Sequence, residues 1–271
     1  MKKAAVIGFP IAQSKSPLIH GHWLQVHGIE GSYEKIEVTP ENFERDIRGL
    51  IDTGYAGCNV TVPHKEAARD ISDELTNRAR IIGAVNTLVF ADGKIKGDNT
   101  DCEGFLENLK AGVLSWVTKK PALVLGAGGA ARGIVYALLD AGVSEVRIAN
   151  RTHARAEKLA EEFEKAEAVM WNDAEDHLGD LGLLVNTTAL GMTGQDPLQI
   201  SLETLSPDCV VTDIVYNPLE TDLLKSAKSK GCKTVDGLGM LLHQAVPGFE
   251  AWFGTRPKVT PELRAKIEAT L

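Results

Sequence analysis

In the run Asn59-Val60-Thr61-Val62-Pro63-His64-Lys65 a primary amine stands just past an apolar strand. Open α/β sheets place their ligands at such strand ends. An ammonium there can stabilise charge developing on a carbonyl oxygen and deliver a proton to it. Period-two alternation over residues 57–62 puts Asn59 and Thr61 on one strand face and Val60 and Val62 on the other. A polar face is unusual in a parallel strand, which is commonly apolar on both sides. Taken alone, Lys65 reads better as a solvated side chain in the first turn of a helix. Upstream, Ser14-Lys15-Ser16-Pro17 opens a helix. Ser16 before proline suits an N-cap, and two hydroxyls at a helix N-terminus also suit a carboxylate. Asn86 and Thr87 interrupt a further apolar strand, Asn99-Thr100-Asp101 closes a hairpin, and Gln244 lies in a helical tail. If buried, these polar groups need partners; otherwise they cap turns.

A second set of residues points to a nucleotide. Gly126-Ala127-Gly128-Gly129-Ala130-Ala131 follows an apolar strand, opens a helix and fits the G-x-G-x-x-A spacing. In that context the first glycine makes a tight turn and the second lets backbone approach a pyrophosphate at the helix N-terminus. The same residues would also suit a turn that is merely tightly packed. After the next strand comes Asn150-Arg151-Thr152, with Arg155 one turn on. An acid at this place would accept from the ribose 2′-hydroxyl of NAD. Two arginines four residues apart suit the 2′-phosphate of NADP, although Thr152 also reads as a helix cap beside solvated charges. NADP is the expected cofactor.

The elements that must carry these groups alternate between short apolar runs and amphipathic segments. Strands are expected at 4–7, 33–38 and 57–62, with a helix over 17–27 and another opening at Thr39-Pro40. A hairpin of 85–89 and 94–97 turns at Asp92-Gly93. A helix over 103–111 precedes a weakly patterned stretch, 112–120. Then come strand 122–125, a helix to residue 141, and strands at 145–149, 183–186 and 210–213. From about residue 238 the chain reads as helical and lacks a strand. The fold class is therefore α/β. An N-terminal α/β substrate domain (1–102 plus 238–271) and a Rossmann-type NADP-binding domain (103–237) are expected to form a cleft, with the helical tail packing back on the first.

Composition narrows the partners. The chain has 271 residues, 44% hydrophobic and 6% aromatic, with a formal net charge of -8. Phosphate backbones would be repelled by most of this surface, and few aromatics are available for stacking bases, so nucleic acid is set aside. Cys58, Cys102, Cys209 and Cys232 form no C-x-x-C pair. They read as reduced thiols of a cytoplasmic protein without a leader or membrane span. No metal site is indicated; a small-molecule substrate is expected, on a monomer or homodimer.

Taken together, the segments resemble the shikimate dehydrogenase family over nearly the full length. The resemblance is carried by Gly8-Phe9-Pro10-Ile11-Ala12-Gln13-Ser14-Lys15-Ser16-Pro17-Leu18-Ile19-His20, the Asn59–Lys65 run, Gly83-Ala84-Val85-Asn86-Thr87 and Gly97-Asp98-Asn99-Thr100-Asp101. Gly126–Arg132, Asn150-Arg151-Thr152, Tyr216-Asn217-Pro218, Gly237-Leu238-Gly239-Met240-Leu241 and Gln244-Ala245 continue it in order. It implies reversible reduction of 3-dehydroshikimate to shikimate with NADPH, in the shikimate pathway of aromatic amino-acid biosynthesis. It further implies that Ser14 and Ser16 bind the substrate carboxylate. Thr61, Asn86, Asp101 and Gln244 would bind its hydroxyls with Asn59 alongside, and Lys65 paired with Asp101 would be catalytic. Gly126, Ala127, Gly128, Gly129, Ala130, Asn150, Arg151, Thr152, Arg155, Thr188, Ile214, Tyr216 and Gly237 would line the cofactor site.

Cys102 stands where relatives commonly carry glycine, and Asn77 where some carry an acid near the cofactor. Three other readings stay open. A quinate/shikimate dehydrogenase with broader substrate or NAD use differs by one substrate hydroxyl. A catalytically silent, ligand-sensing regulator of the same fold would be expected to lose Lys65 or Asp101. A folate-interconverting dehydrogenase fits the two-serine opening poorly.

Overall fold

In the computed structural model, residues 1–113 and 119–271 are described. Part of the weakly patterned stretch, 114–118, lies outside the described residues. The chain folds as two compact units, Met1–Asp101 with Leu242–Thr270, and Cys102–Leu241. These boundaries fall at 101/102 and 241/242, where the sequence placed them at 102/103 and 237/238.

The first unit is built on β1 (Lys2–Gly8), α1 (Ser16–Val26), β2 (Gly31–Glu37), α2 (Phe43–Asp52), β3 (Tyr55–Val60), α3 (Lys65–Asp70), β4 (Glu74–Leu75), α4 (Asn77–Ile82), β5 (Thr87–Ala91) and β6 (Lys94–Asp98). Its six strands are ordered β2-β1-β3-β5-β6-β4. β1 is parallel to β2 and β3, whereas β5 runs antiparallel to both β3 and β6. The mixed sheet explains how β3 carries polar groups: its antiparallel neighbour β5 is itself polar at Thr87. The hairpin turns at Asp92 and Gly93, both with positive φ, as a two-residue mirror-image turn requires.

Three expectations are corrected. β3 stops at Val60, so Thr61 and Val62 lie beyond the ladder, and Val62 is 68% exposed instead of covering the opposite face. The chain turns there toward Pro63, which has no N–H to continue the pairing. At α1 the N-cap position belongs to Lys15 and Ser16 is already helical, so Ser16 does not cap the helix. Thr39-Pro40 opens a short 3-10 turn, and the α-helix starts only at Phe43.

The second unit comprises α5 (Asp101–Gly112) from Cys102 on, β7 (Ala122–Leu125), α6 (Gly129–Asp140), β8 (Val146–Asn150), α7 (His153–Ala160), β9 (Ala166–Met170), β10 (Leu183–Asn186), β11 (Val210–Asp213), α8 (Asp222–Ser229) and β12 (Lys233–Val235). Its sheet, β12-β11-β10-β7-β8-β9, is wholly parallel. This doubly wound order reverses between β7 and β10, the crevice where such sheets bind nucleotides. β7 and β10 are buried throughout, as a parallel strand covered on both faces must be. The sequence reading lacked β9 and β12. Ala166–Met170 alternates glutamate and exposed methionine into an edge strand, and Lys233–Val235 has only three residues.

α9 (Leu238–His243) leads into α10 (Ala245–Phe253) and α11 (Pro261–Glu268), which belong to the first unit from Leu242 on. Trp252 of α10 lies against the sheet, its indole Nε1 donating to the Leu88 carbonyl at 2.9 Å. Gly57 makes room for it: a Cβ there would stand 2.1 Å from that carbonyl oxygen and 2.2 Å from Nε1. No helix among the described residues is long and apolar enough to cross a membrane.

Candidate active site

β3 delivers Lys65 through a tight turn. His64 N–H bonds the Thr61 carbonyl at 3.0 Å, and the Lys65 carbonyl accepts from Val85 N–H at 2.9 Å, so the start of α3 is tied down on both sides. The His64 ring is buried, stacked on Phe43 and bonded to the Val38 carbonyl at 2.6 Å. The adjoining histidine is thus structural, and the ammonium of Lys65 reaches Asp101 Oδ2 at 2.5 Å. The two side chains retain 22% and 12% of their exposure, so a ligand can reach them.

Asp101 begins α5 and is held from two sides. Its N–H donates to Asn99 Oδ1 at 3.2 Å, and Asn86 Nδ2 donates to its Oδ1 at 2.8 Å. The Asn86 amide is oriented by donors to its oxygen, Thr100 N–H at 2.8 Å and Thr87 Oγ1 at 3.0 Å. Its nitrogen is 3.5 Å from Gln244 Oε1, and Thr100 Oγ1 donates to the Gln244 carbonyl at 2.8 Å. Just ahead, Arg78 grips the Asp98 carboxylate with Nε and Nη2. Burial raises the pKa of Asp98, but this pair and its other donors outweigh it and leave the carboxyl below its usual range.

The structure therefore joins Lys65, Asp101, Asn86 and Gln244 in one hydrogen-bonded cluster. Asn59 joins it through Thr87, with its amide nitrogen donating inside the unit to the Asn86 carbonyl and to Thr87 Oγ1. Ser14 accepts from Ser16 N–H at 3.3 Å, which arranges the two hydroxyl-bearing residues at the start of α1. Thr61, one residue past β3, donates its N–H to the Ile7 carbonyl.

In the second unit, Gly126 takes φ of +111°, and a Cβ there would lie 2.5 Å from Thr187 Oγ1. Glycine is needed here for both the turn and the close approach. A Cβ at Gly128 or Gly129 would meet no atom within 4 Å, so packing inside the unit does not demand glycine at either. Their smallness suits a phosphate seated on the free N–H groups that open α6. A cavity of about 270 Å³ lies beside this turn, lined by Gly126, Ala127, Gly128, Asn150, Arg151, Arg155 and Thr188 among others.

The loop after β10 is braced by Asn186, which donates to Asp213 Oδ1 at 3.0 Å and accepts from Thr188 N–H and Oγ1. Burial holds the Asp213 carboxyl above its usual range. Gly129 and Ala130 start α6, Thr152 stands at the N-cap of α7 without a side-chain capping bond, and none of the three lines the cavity. Ile214 and Tyr216 follow β11, and Gly237 follows the adjacent β12; they also lie outside this cavity. Burial raises the Tyr216 phenol.

Sequence reasoning missed Trp171, Thr187, Ala189, Leu190, Gln195 and Asp196, which complete the lining. Trp171 follows the unrecognised β9, and the others sit in a loop without a motif. Among the described residues no carboxylate lies within ion-pair distance of Arg151 or Arg155, and both are accessible at the cavity. The residues present fit NADP: an open N-terminal cradle and two uncommitted guanidinium groups at the end of β8. Arg151→Ala is expected to narrow the preference for NADP over NAD, read as the ratio of kcat/KM for the two cofactors.

The chain matches three family profiles: Shikimate dehydrogenase substrate binding domain over residues 6–88, Shikimate / quinate 5-dehydrogenase over 109–193, and Shikimate 5'-dehydrogenase C-terminal domain over 237–261. It is 57% identical over 274 residues to a shikimate dehydrogenase (NADP(+)) of Methylobacterium radiotolerans, covering 99% of this chain and 97% of that protein. Among solved structures, the shikimate 5-dehydrogenase of Thermus thermophilus in complex with NADP(H) and shikimate aligns with TM-score 0.89 at 39% identity, covering 100% and 99% of the two chains. The quinate dehydrogenase of Corynebacterium glutamicum in complex with NAD aligns with TM-score 0.93 at 30% identity, covering 99% of each.

Proposed function

The chain belongs to the shikimate dehydrogenase family, and on that premise we propose that Lys65 and Asp101 serve its reaction, the reversible NADPH-dependent reduction of 3-dehydroshikimate to shikimate. It is an NADP-dependent oxidoreductase acting on a CH–OH group. The observation that carries the assignment of roles is the 2.5 Å contact of Lys65 Nζ with Asp101, held in a cluster whose other members are hydrogen-bonded in turn. Bound NADPH supplies the reducing equivalents. The chain's own residues then handle the oxygen. The Lys65 ammonium lies against it, stabilises the charge that builds there and delivers a proton; in the opposite direction the amine accepts one. Asp101 keeps the flexible lysine stem in a single orientation, which saves the entropy of arranging it during each turnover.

The substrate is oriented from its far side. Ser14 and Ser16, at the start of α1, bind the carboxylate, and Thr61, Asn86 and Gln244 bind ring hydroxyls. The first unit is thus the substrate-binding half, and Cys102–Leu241 the NADP-binding half. Arg151 and Arg155 read the 2′-phosphate. Ser16→Ala is expected to raise the KM for shikimate about tenfold, the scale of a lost hydrogen bond to a charged group, with the KM for NADP unchanged. Equal increases in both constants would count against a carboxylate role. Reduction of NADP with shikimate and with quinate, repeated with NAD, tests the whole assignment. Activity chiefly with NADP and shikimate is expected; comparable rates with NAD and quinate would favour the quinate reading.

A further inference from the structure

The two residues that hold Asp101 come from separate stretches of the first unit. Asn86, which donates to its carboxylate, stands just ahead of β5, and Asn99, which accepts from its N–H, follows β6. These stretches meet at Asp98, the last residue of β6. Its Oδ1 accepts from Arg78 Nε at 2.7 Å, from Thr76 Oγ1 at 2.6 Å and from Asn99 N–H at 2.7 Å. Its Oδ2 accepts from Arg78 Nη2 at 2.5 Å. The Asp98 carbonyl takes the Asn86 N–H at 3.0 Å, and Asn99 Nδ2 donates to the Ala84 carbonyl at 3.0 Å. Neither Arg78 nor Asp98 has a place in the chemistry assigned above.

The arrangement resists motion. A guanidinium fork on a carboxylate fixes the orientation of both groups, which the point charge of a lysine does not. The Arg78 and Asp98 side chains keep only 26% and 21% of their exposure, so solvent and salt screen the pair little. Arg78 is anchored in turn by α4, where Thr76 Oγ1 caps the helix by accepting from Ala79 N–H at 3.3 Å. Thr76 N–H bonds the Gly97 carbonyl at 3.0 Å. Arg78 thus ties the stretch that leads to Asn86 onto the stretch that carries Asn99 and Asp101. Only Asn99 and Thr100 separate Asp98 from Asp101. A shift at Asp98 therefore reaches the carboxylate that meets Lys65 with little chain to absorb it.

We propose that Arg78 is a positioning residue: by locking Asp98 it holds the corner from Asp98 to Asp101, so that the Asp101 carboxylate meets the Lys65 ammonium in one orientation. The proposal rests on the roles given to Lys65 and Asp101 in the reaction. An ion pair that merely joined α4 to β6 would support folding, and its loss would weaken the enzyme whatever stood at residue 101. A clamp that acts through Asp101 loses its effect once the Asp101 carboxylate is gone.

A double-mutant cycle separates the two cases. kcat with saturating shikimate and NADP is measured for wild type, Arg78→Met, Asp101→Ala and the double variant, with KM for NADP and thermal unfolding followed in each. Arg78→Met keeps the apolar stem and removes the fork. Its kcat is expected to fall about tenfold, since small displacements of a reacting group are costly, with KM for NADP unchanged. On the Asp101→Ala background the same change is expected to cost no more than about twofold. Arg78→Lys keeps a positive charge beside Asp98 and serves if Arg78→Met folds poorly. It is expected to lower kcat about fivefold and to show the same dependence on Asp101. A fall as large without the Asp101 carboxylate as with it, or a folded Arg78 variant with kcat within about twofold of wild type, would overturn the positioning role. Asp101→Ala with the kcat of wild type, or a wild type inactive toward shikimate, would instead overturn the assignment on which it rests.

Discussion

Lys65→Ala lowers kcat by about 10²–10⁴, the range a positioned proton donor contributes, while KM for NADP stays as it was. The expectation follows from where the ammonium is held. Lys65 is fixed at its backbone by the Val85 N–H and at its tip by Asp101, so the amine is aimed and not free to wander. Its loss removes an interaction made chiefly as charge builds on the oxygen, and such losses appear in kcat and in kcat/KM together. Steady-state rates with saturating shikimate and NADP decide the matter; a kcat within about threefold of wild type would take Lys65 out of the chemistry. Asp101→Asn should show a smaller fall, because the amide still offers an oxygen to the ammonium.

The second large effect is on stability. Gly57→Ala is expected to cost on the order of 3 kcal/mol and to lower the midpoint of thermal unfolding by roughly 10 °C. The added methyl would stand 2.1 Å from the Leu88 carbonyl oxygen and 2.2 Å from Trp252 Nε1, the two atoms that bond each other at 2.9 Å. Neither can retreat, since one is backbone in β5 and the other belongs to an indole that is 1% exposed. Expelling the indole would break the hydrogen bond and leave a void in the interior. Calorimetry on the purified variant reads the shift directly, and a midpoint within about 2 °C of wild type would show that the strand bends away at little cost.

The second unit's plan was plain in the sequence because parallel strands buried on both faces are continuous apolar runs. Ala122–Leu125, Leu183–Asn186 and Val210–Asp213 announce themselves by composition and end where the sheet does. Edge strands lack that signature. β9 mixes glutamate with valine and methionine, and β12 is too short for any period to register. The candidate site was legible where a motif required an unusual residue, as with Asn59 in a strand or Gly126 in a turn. It was illegible where a side chain matters through its neighbours. Tyr33 looks like any half-apolar strand residue until its phenol is seen on Asn59, and Trp171 gains meaning only from the cavity beside it. Ser16 shows the opposite error, since its place before proline suggested a cap that Lys15 occupies.

The first unit is assembled from two stretches of chain separated by the whole of the second. Synthesis is vectorial, and domains commonly fold in the order in which they leave the ribosome. Residues 102–241 are contiguous and can close their sheet as soon as they emerge. The earlier-made half must wait, its β3–β5 face bare, until Trp252 is translated and covers it. The second unit can thus be complete before the first, whose sheet has its full cover only once the C-terminal helices are made.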